Sequence, residues 1–334
     1  MNLTSLGDLS QNTYMFTRGA QLKQNINHLQ QELSTGKSSD ITGRLGGNFN
    51  YLADIERNIS RLESFETITT ETAHYASMAQ TSVGRINDIT QRFSNDLLAT
   101  ASHAEEPMMD QLSSQGLEYL DQTISVLNTV VGGRSLFAGV DTDAIPVADS
   151  TTIMTALVAE VGGLTNANDI VQAGQDWFTD PTGFDAIAYD GSFTDMAPVR
   201  IGADEEVSIA LRADDAEFKQ TLAGFAVGAL IGEPSLGYGE NLKRDLLFAT
   251  TSEVKDAQAD LTTVQAGLGF TEERIEDTAA RNAASKTSLS LAMNELVQAD
   301  PYETITRLEE AQFQLEAIYT VTSRSSQISL LNFM

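Results

Sequence analysis

Residues 301–334 read PYETITRLEEAQFQLEAIYTVTSRSSQISLLNFM, a run with no glycine and no proline after its first position. Pro301 suits the first turn of a helix, where the amide it lacks would be unpaired anyway, and Asp300 before it is a good N-cap. Ile305, Leu308, Ala311, Leu315, Ile318, Thr322, Ser325 and Ser329 recur at steps of three and four, the spacing of one helix face. The face begins apolar and ends in hydroxyls. It predicts one helix carrying a narrow stripe that needs cover.

A matching stripe lies at the other end of the chain. Met15, Leu22, Ile26, Leu29 and Leu33 follow the same period, and Ser34, Thr35 and Gly36 stop it, with glycine able to take the left-handed conformation that closes a helix. At 1.5 Å per residue each helix spans about 30–45 Å. Two such stripes predict an antiparallel coiled coil between the N- and C-terminal segments. A lone pair is marginal, because ordering costs about 1.5 kcal/mol per residue. The two helices are therefore expected to be loose in an isolated chain and to fold as copies assemble.

Composition narrows the function classes. The 334 residues carry a formal charge of −27, with a sequence pI near 4.2, which disfavours nucleic acid and anionic membrane surfaces as partners. Cysteine is absent, which removes disulfides, thiolate nucleophiles and sulfur-ligated zinc. No window resembles a membrane span, and MNLTSLGDLSQ lacks the basic-then-apolar pattern of a cleaved signal peptide. Between Asp141 and Glu240 there are eighteen acidic and three basic residues, a net charge of −15, whereas residues 1–40 and 311–334 are each neutral. An acidic middle suits solvent, and neutral amphipathic ends suit packing against copies of themselves.

The remaining chain divides by its periodicity. KSSDITGRLGGNFNY after Gly36 reads as a loop. Leu52, Ile55, Ile59, Leu62, Phe65, Ala76, Val83, Ile86, Ile89, Phe93 and Leu97 predict a long helix to about residue 104. Pro107 opens another, seamed by Met109, Leu117, Leu120, Ile124, Leu127 and Val131 and ended by Gly132 and Gly133. In the middle, 151–161 and 168–178 predict short helices, while AIAYDG at 186–191 and the pair 198–201 and 207–211 predict strands. Asp214 is expected to cap a helix through Phe218, Leu222, Phe225 and Leu230. Residues 241–299 predict a second very long helix, with a possible bend at Gly267 and Gly269. The fold class is mainly α, a long antiparallel bundle or coiled coil of the terminal segments with a small α+β insert. Its expected segments are 1–40, 41–140, 141–240, 241–300 and 301–334.

Chemistry finds little support. His28, His74 and His103 are isolated on helices and read as surface residues. Asp141, Asp143 and Asp149 lack the glycine and glutamate of a calcium loop and read as solvated carboxylates. The glycines at 46, 47, 132 and 133 match no phosphate-binding pattern, and the pairs Glu205–Glu206 and Asp214–Asp215 read as surface charge. No catalytic, cofactor or metal residue is assigned.

Three stretches carry a resemblance. LQQELSTGK at 29–37, the ending SLLNFM, and GGRSLFAGVDTDAIPV resemble segments of the bacterial flagellin family, nearest its hook–filament junction branch. The run SSDITGRLGG after Lys37 departs from the family pattern. The resemblance implies a structural subunit joining hook to filament by helical self-assembly, with filament flagellin as the alternative. A soluble coiled-coil adaptor is the reading outside the family. The resemblance to the flagellin family implies an extracellular location, export without a cleaved signal peptide, and a chaperone holding the C-terminal segment beforehand. The implied partners are further copies in a helical ring, a neighbouring hook-associated protein and flagellin. The residues expected at that interface are Leu22, Ile26, Leu29, Leu33, Ile305, Leu308, Leu315, Ile318, Leu330, Leu331 and Phe333.

Overall fold

The computed structural model describes residues 3–44, 46, 49–103 and 105–331, with side chains described except at 3–9, 11, 12, 44 and 325–331. Among these residues lie ten helices. They are α1 (Leu3–Thr35), α2 (Ile41–Arg44), α3 (Asn50–Ala101), α4 (Glu106–Leu127), α5 (Ser150–Val161), α6 (Ala167–Thr179), α7 (Phe184–Ile187), α8 (Ala216–Leu230), α9 (Glu240–Val297) and α10 (Pro301–Leu331). Two antiparallel hairpins complete them, β1 (Val130–Val131) with β2 (Arg134–Ser135), and β3 (Val199–Arg200) with β4 (Glu206–Val207). The fold is mainly α with a small α+β insert, the class that the terminal stripes and acidic middle imply. The chain divides into two compact units, one of Met1–Glu63 with Ala283–Met334 and one of Ser64–Asn282, each division falling inside a long helix.

The unit Ser64–Asn282 is built around α8. Its sequence AEFKQTLAGFAVGAL is apolar on every side, and every residue from Phe218 to Leu230 but Gln220 is buried, as expected of a helix enclosed by others. Small residues let its neighbours come close. A Cβ at Gly228 would stand 2.4 Å from the Phe93 ring, and one at Gly116 would stand 3.0 Å from the Ala229 backbone. Phe93 meets Tyr119 and Phe225 edge-on, with centroids 5.6 and 5.4 Å away. The Lys219 ammonium, itself buried, pairs with Asp185 and lies 5.8 Å from the Phe184 ring centre.

Several expectations need correction here. Gly132 and Gly133 do not end a helix; α4 stops at Leu127, Val131 is in a strand, and both glycines have positive φ (59° and 82°) in the two-residue turn of β1–β2. Leu117 is exposed rather than on the seam. Residues 186–191 form no strand: they run from the end of α7 through one isolated bridge, Val147 to Tyr189, and so short an alternation does not distinguish strand from helical turn. The cap of α8 is Asp215, not Asp214, and its carboxylate accepts instead from the Arg212 amide at 2.8 Å. The loop after Lys37 contains the short α2, and α9 continues as one helix through Gly267 and Gly269.

Candidate functional site

In the unit Met1–Glu63 with Ala283–Met334, α1 and α10 lie antiparallel. Leu22, Leu29 and Ala311 are buried between them, flanked by partly buried Ile26, Leu308, Leu315 and Ile318. The start of α10 is capped as its sequence implies, Asp300 accepting from the amides of Tyr302 and Glu303 at 2.8 and 3.3 Å. Leu33 and Ile305 fall outside the seam, each 42% exposed. The heptad that places Ala311 inward also places Thr304 inward, at 4% exposure, and beside Leu29 the inward position goes to Glu32, at 8%. Of the remaining interface candidates, the side chains of Leu330 and Leu331 and the whole of Phe333 lie outside the described residues.

Glu32 is the residue that periodicity alone misses. Its carboxylate accepts from the Ser39 amide and hydroxyl, both at 2.6 Å, and from the Ser38 hydroxyl at 3.4 Å. Burial pushes its pKa up, but the Ser39 and Ser38 donors outweigh this and hold it below the ordinary glutamate value. Around it the two helix junctions are stitched together. Gly36 (φ 68°) ends α1, its carbonyl accepts from the Ala299 amide at 2.9 Å, and the Ser38 amide donates to the Val297 carbonyl at 2.8 Å. The LSTGK part of the N-terminal motif is therefore the last turn of α1 and its glycine stop, with Gly36 and the residues after it held against the α9–α10 junction. An acidic residue in an apolar heptad with serines six and seven residues on was its sequence signal.

Two grooves flank the seam. One, about 500 Å³, is polar and includes Arg18, His28, Arg307, Glu310 and Gln314. The other, about 200 Å³, is lined mainly by apolar groups, including Met15, Phe16, Gly19, Ala20, Ile318 and Tyr319, with Lys23 5.5 Å from the Tyr319 ring centre. Large apolar side chains also stand in solvent on this pair: Phe16 is 83% exposed and Phe313 72%.

The other candidates do not converge on chemistry. His28, His74 and His103 are exposed and far apart in sequence. Asp149 caps α5 by accepting from the Thr152 amide at 2.8 Å, while Asp141 and Asp143 are exposed. Glu205 and Glu206 pair with Arg274 and Arg200. Arg212 gathers Asp195, Asp214 and Asp215 within 3.1–3.4 Å, and burial raises the Asp215 pKa. This node ties the loop at 193–195 to the start of α8 and is structural. Among the described residues no group of three or more His, Cys, Asp or Glu could hold a metal ion, and no helix is long and apolar enough to cross a membrane.

Residues 251–334, which take in most of α9 and all of α10, match the bacterial flagellin C-terminal helical region. Over that C-terminal region the chain is similar to the flagellins. A solved structure from Vibrio parahaemolyticus, assigned as a flagellar hook-associated protein, has a TM-score of 0.52 to this chain at 13% identity. It covers 75% of this chain and 99% of its own. At that identity the likeness concerns the fold. No curated protein matches the sequence.

Proposed function

We propose that this chain joins hook to filament at their junction, held there by helical self-association through α1 and α10. The observation that carries the reading is the thinness of the seam. Among the described side chains of a pair of helices 33 and 31 residues long, three apolar ones are buried in the seam, while Phe16 and Phe313 stay in water. Such a pair gains its remaining burial from further copies, through heterologous contacts that add subunits along a helix. In this reading the neighbours are a hook-associated protein on one side and flagellin on the other. The chain reaches the cell exterior by flagellar type III export. A chaperone holds the C-terminal segment at Leu315, Ile318, Leu330, Leu331 and Phe333 before export. The five expected segments then serve as assembly ends (1–40 and 301–334), bundle helices (41–140 and 241–300) and an outward acidic insert (141–240).

The match of residues 251–334 to the flagellin C-terminal region suits filament flagellin equally and supports it as the second reading. Labelling the chain in intact flagella and counting copies separates them. A single band at the hook end supports the junction reading, label along the whole filament transfers the chain to the second, and a chain found nowhere in flagella refutes both.

A further inference from the structure

Phe313 lies two positions from buried Ala311, about 200° round the helix, so it faces away from α1. One turn to either side of it stand Glu309, Glu310 and Glu316, and Ala317 shares that face. Neither Glu309 nor Glu316 enters an ion pair among the described residues. The result is an exposed ring in an acidic frame.

The apolar groove lined by both helices has the opposite character. Gly19 opens its floor, since a Cβ there would meet only Leu315 and Ile318 at 3.9 and 4.0 Å, and its volume of about 200 Å³ suits one aromatic ring; a cavity of about 150 Å³ holds benzene. Lys23 lines it, and α1 carries no acidic residue between Asp8 and Glu32 while carrying Arg18 and Lys23. The groove is apolar within and basic at its edge.

We propose that Phe313 of one copy inserts into the α1–α10 groove of a second copy, with Glu309 and Glu316 facing Lys23. This deepens the reading of the chain as a self-assembling flagellar subunit and rests on it. Knob and groove occupy different parts of one surface, so the contact is heterologous and leaves a free knob and a free groove at each end. One ring in one groove buries far less than the roughly 1,200 Å² of a stable pairwise interface. The contact therefore suits copies joined repeatedly rather than an isolated dimer. Its charge frame makes it weaken as salt rises.

Because the chain holds no cysteine, the contact can be trapped directly. Full-length Ala20→Cys and Ala317→Cys variants, both altered at exposed positions, are mixed under assembly conditions and oxidised. Expected are a disulfide-linked species that needs both variants, its loss in an Ala317→Cys chain also carrying Phe313→Ala, and self-association weakened roughly 10- to 30-fold by Phe313→Ala alone. Combining Lys23→Glu with Glu309→Lys and Glu316→Lys should restore what each charge reversal removes. Assembly without this cross-link, a cross-link indifferent to Phe313→Ala, or dimers within either single variant overturns the docking and leaves the subunit reading standing. A wild-type chain that never self-associates overturns both.

Discussion

At the scale of single residues, Glu32 decides how α1 ends. Three hydrogen bonds from Ser38 and Ser39 hold its carboxylate ionised, with a pKa below the ordinary glutamate value. A depressed folded-state pKa stabilises the fold fully above the unfolded value, and that contribution is lost as pH falls through the folded one. Glu32→Gln should therefore cost about 1–2 kcal/mol at neutral pH, and the deficit should vanish in acid below the glutamate range. Urea titrations of both proteins at the two pH values read this directly; a deficit independent of pH would remove the carboxylate from the explanation. Leu22, Leu29 and Ala311 were legible as seam residues because heptad spacing alone selects them. Glu32 was not, since only the reversal of the chain after Gly36 returns two serines to its side.

At the scale of elements, the same substitution should act with opposite sign on two helices. On α8, Gly228→Ala drives a methyl into the fully buried Phe93 ring, which is fixed by Tyr119 and Phe225. Overpacking of this kind costs about 1–3 kcal/mol, more than the gain in helix propensity of up to about 1 kcal/mol. On α9, a Cβ at Gly267 meets nothing within 4 Å, so Gly267→Ala should stabilise by about 0.5–1 kcal/mol. Denaturation midpoints compared with wild type should fall for the first and rise for the second. The long helices were legible because their periods run over many turns. The β1–β2 hairpin, the helical turn at Phe184–Ile187 and the cap at Asp215 were not, because each depends on two or three residues whose preferences are decided by what packs on them.

At the scale of the whole molecule, stability should be uneven. The unit Ser64–Asn282 holds a contiguous buried core around α8, whereas the seam of α1 and α10 buries three apolar residues among those described. Local opening follows such differences, so amide exchange in the isolated chain should be slowest in α8 and fast across α1 and α10, and the latter should slow on assembly. Strong protection of residues 3–34 and 310–331 in the isolated chain would contradict folding on assembly. The sequence by itself determined the helical class, the antiparallel pairing of the first and last helices, and the uneven spread of charge, since each is a property of spacing or composition. The tertiary structure decided which seam positions turn inward, that a carboxylate sits among them, and that a groove opens at Gly19 while Phe313 faces solvent. These depend on the rotation of one helix against another, a choice among neighbouring positions that a periodic pattern leaves equivalent and only packing resolves.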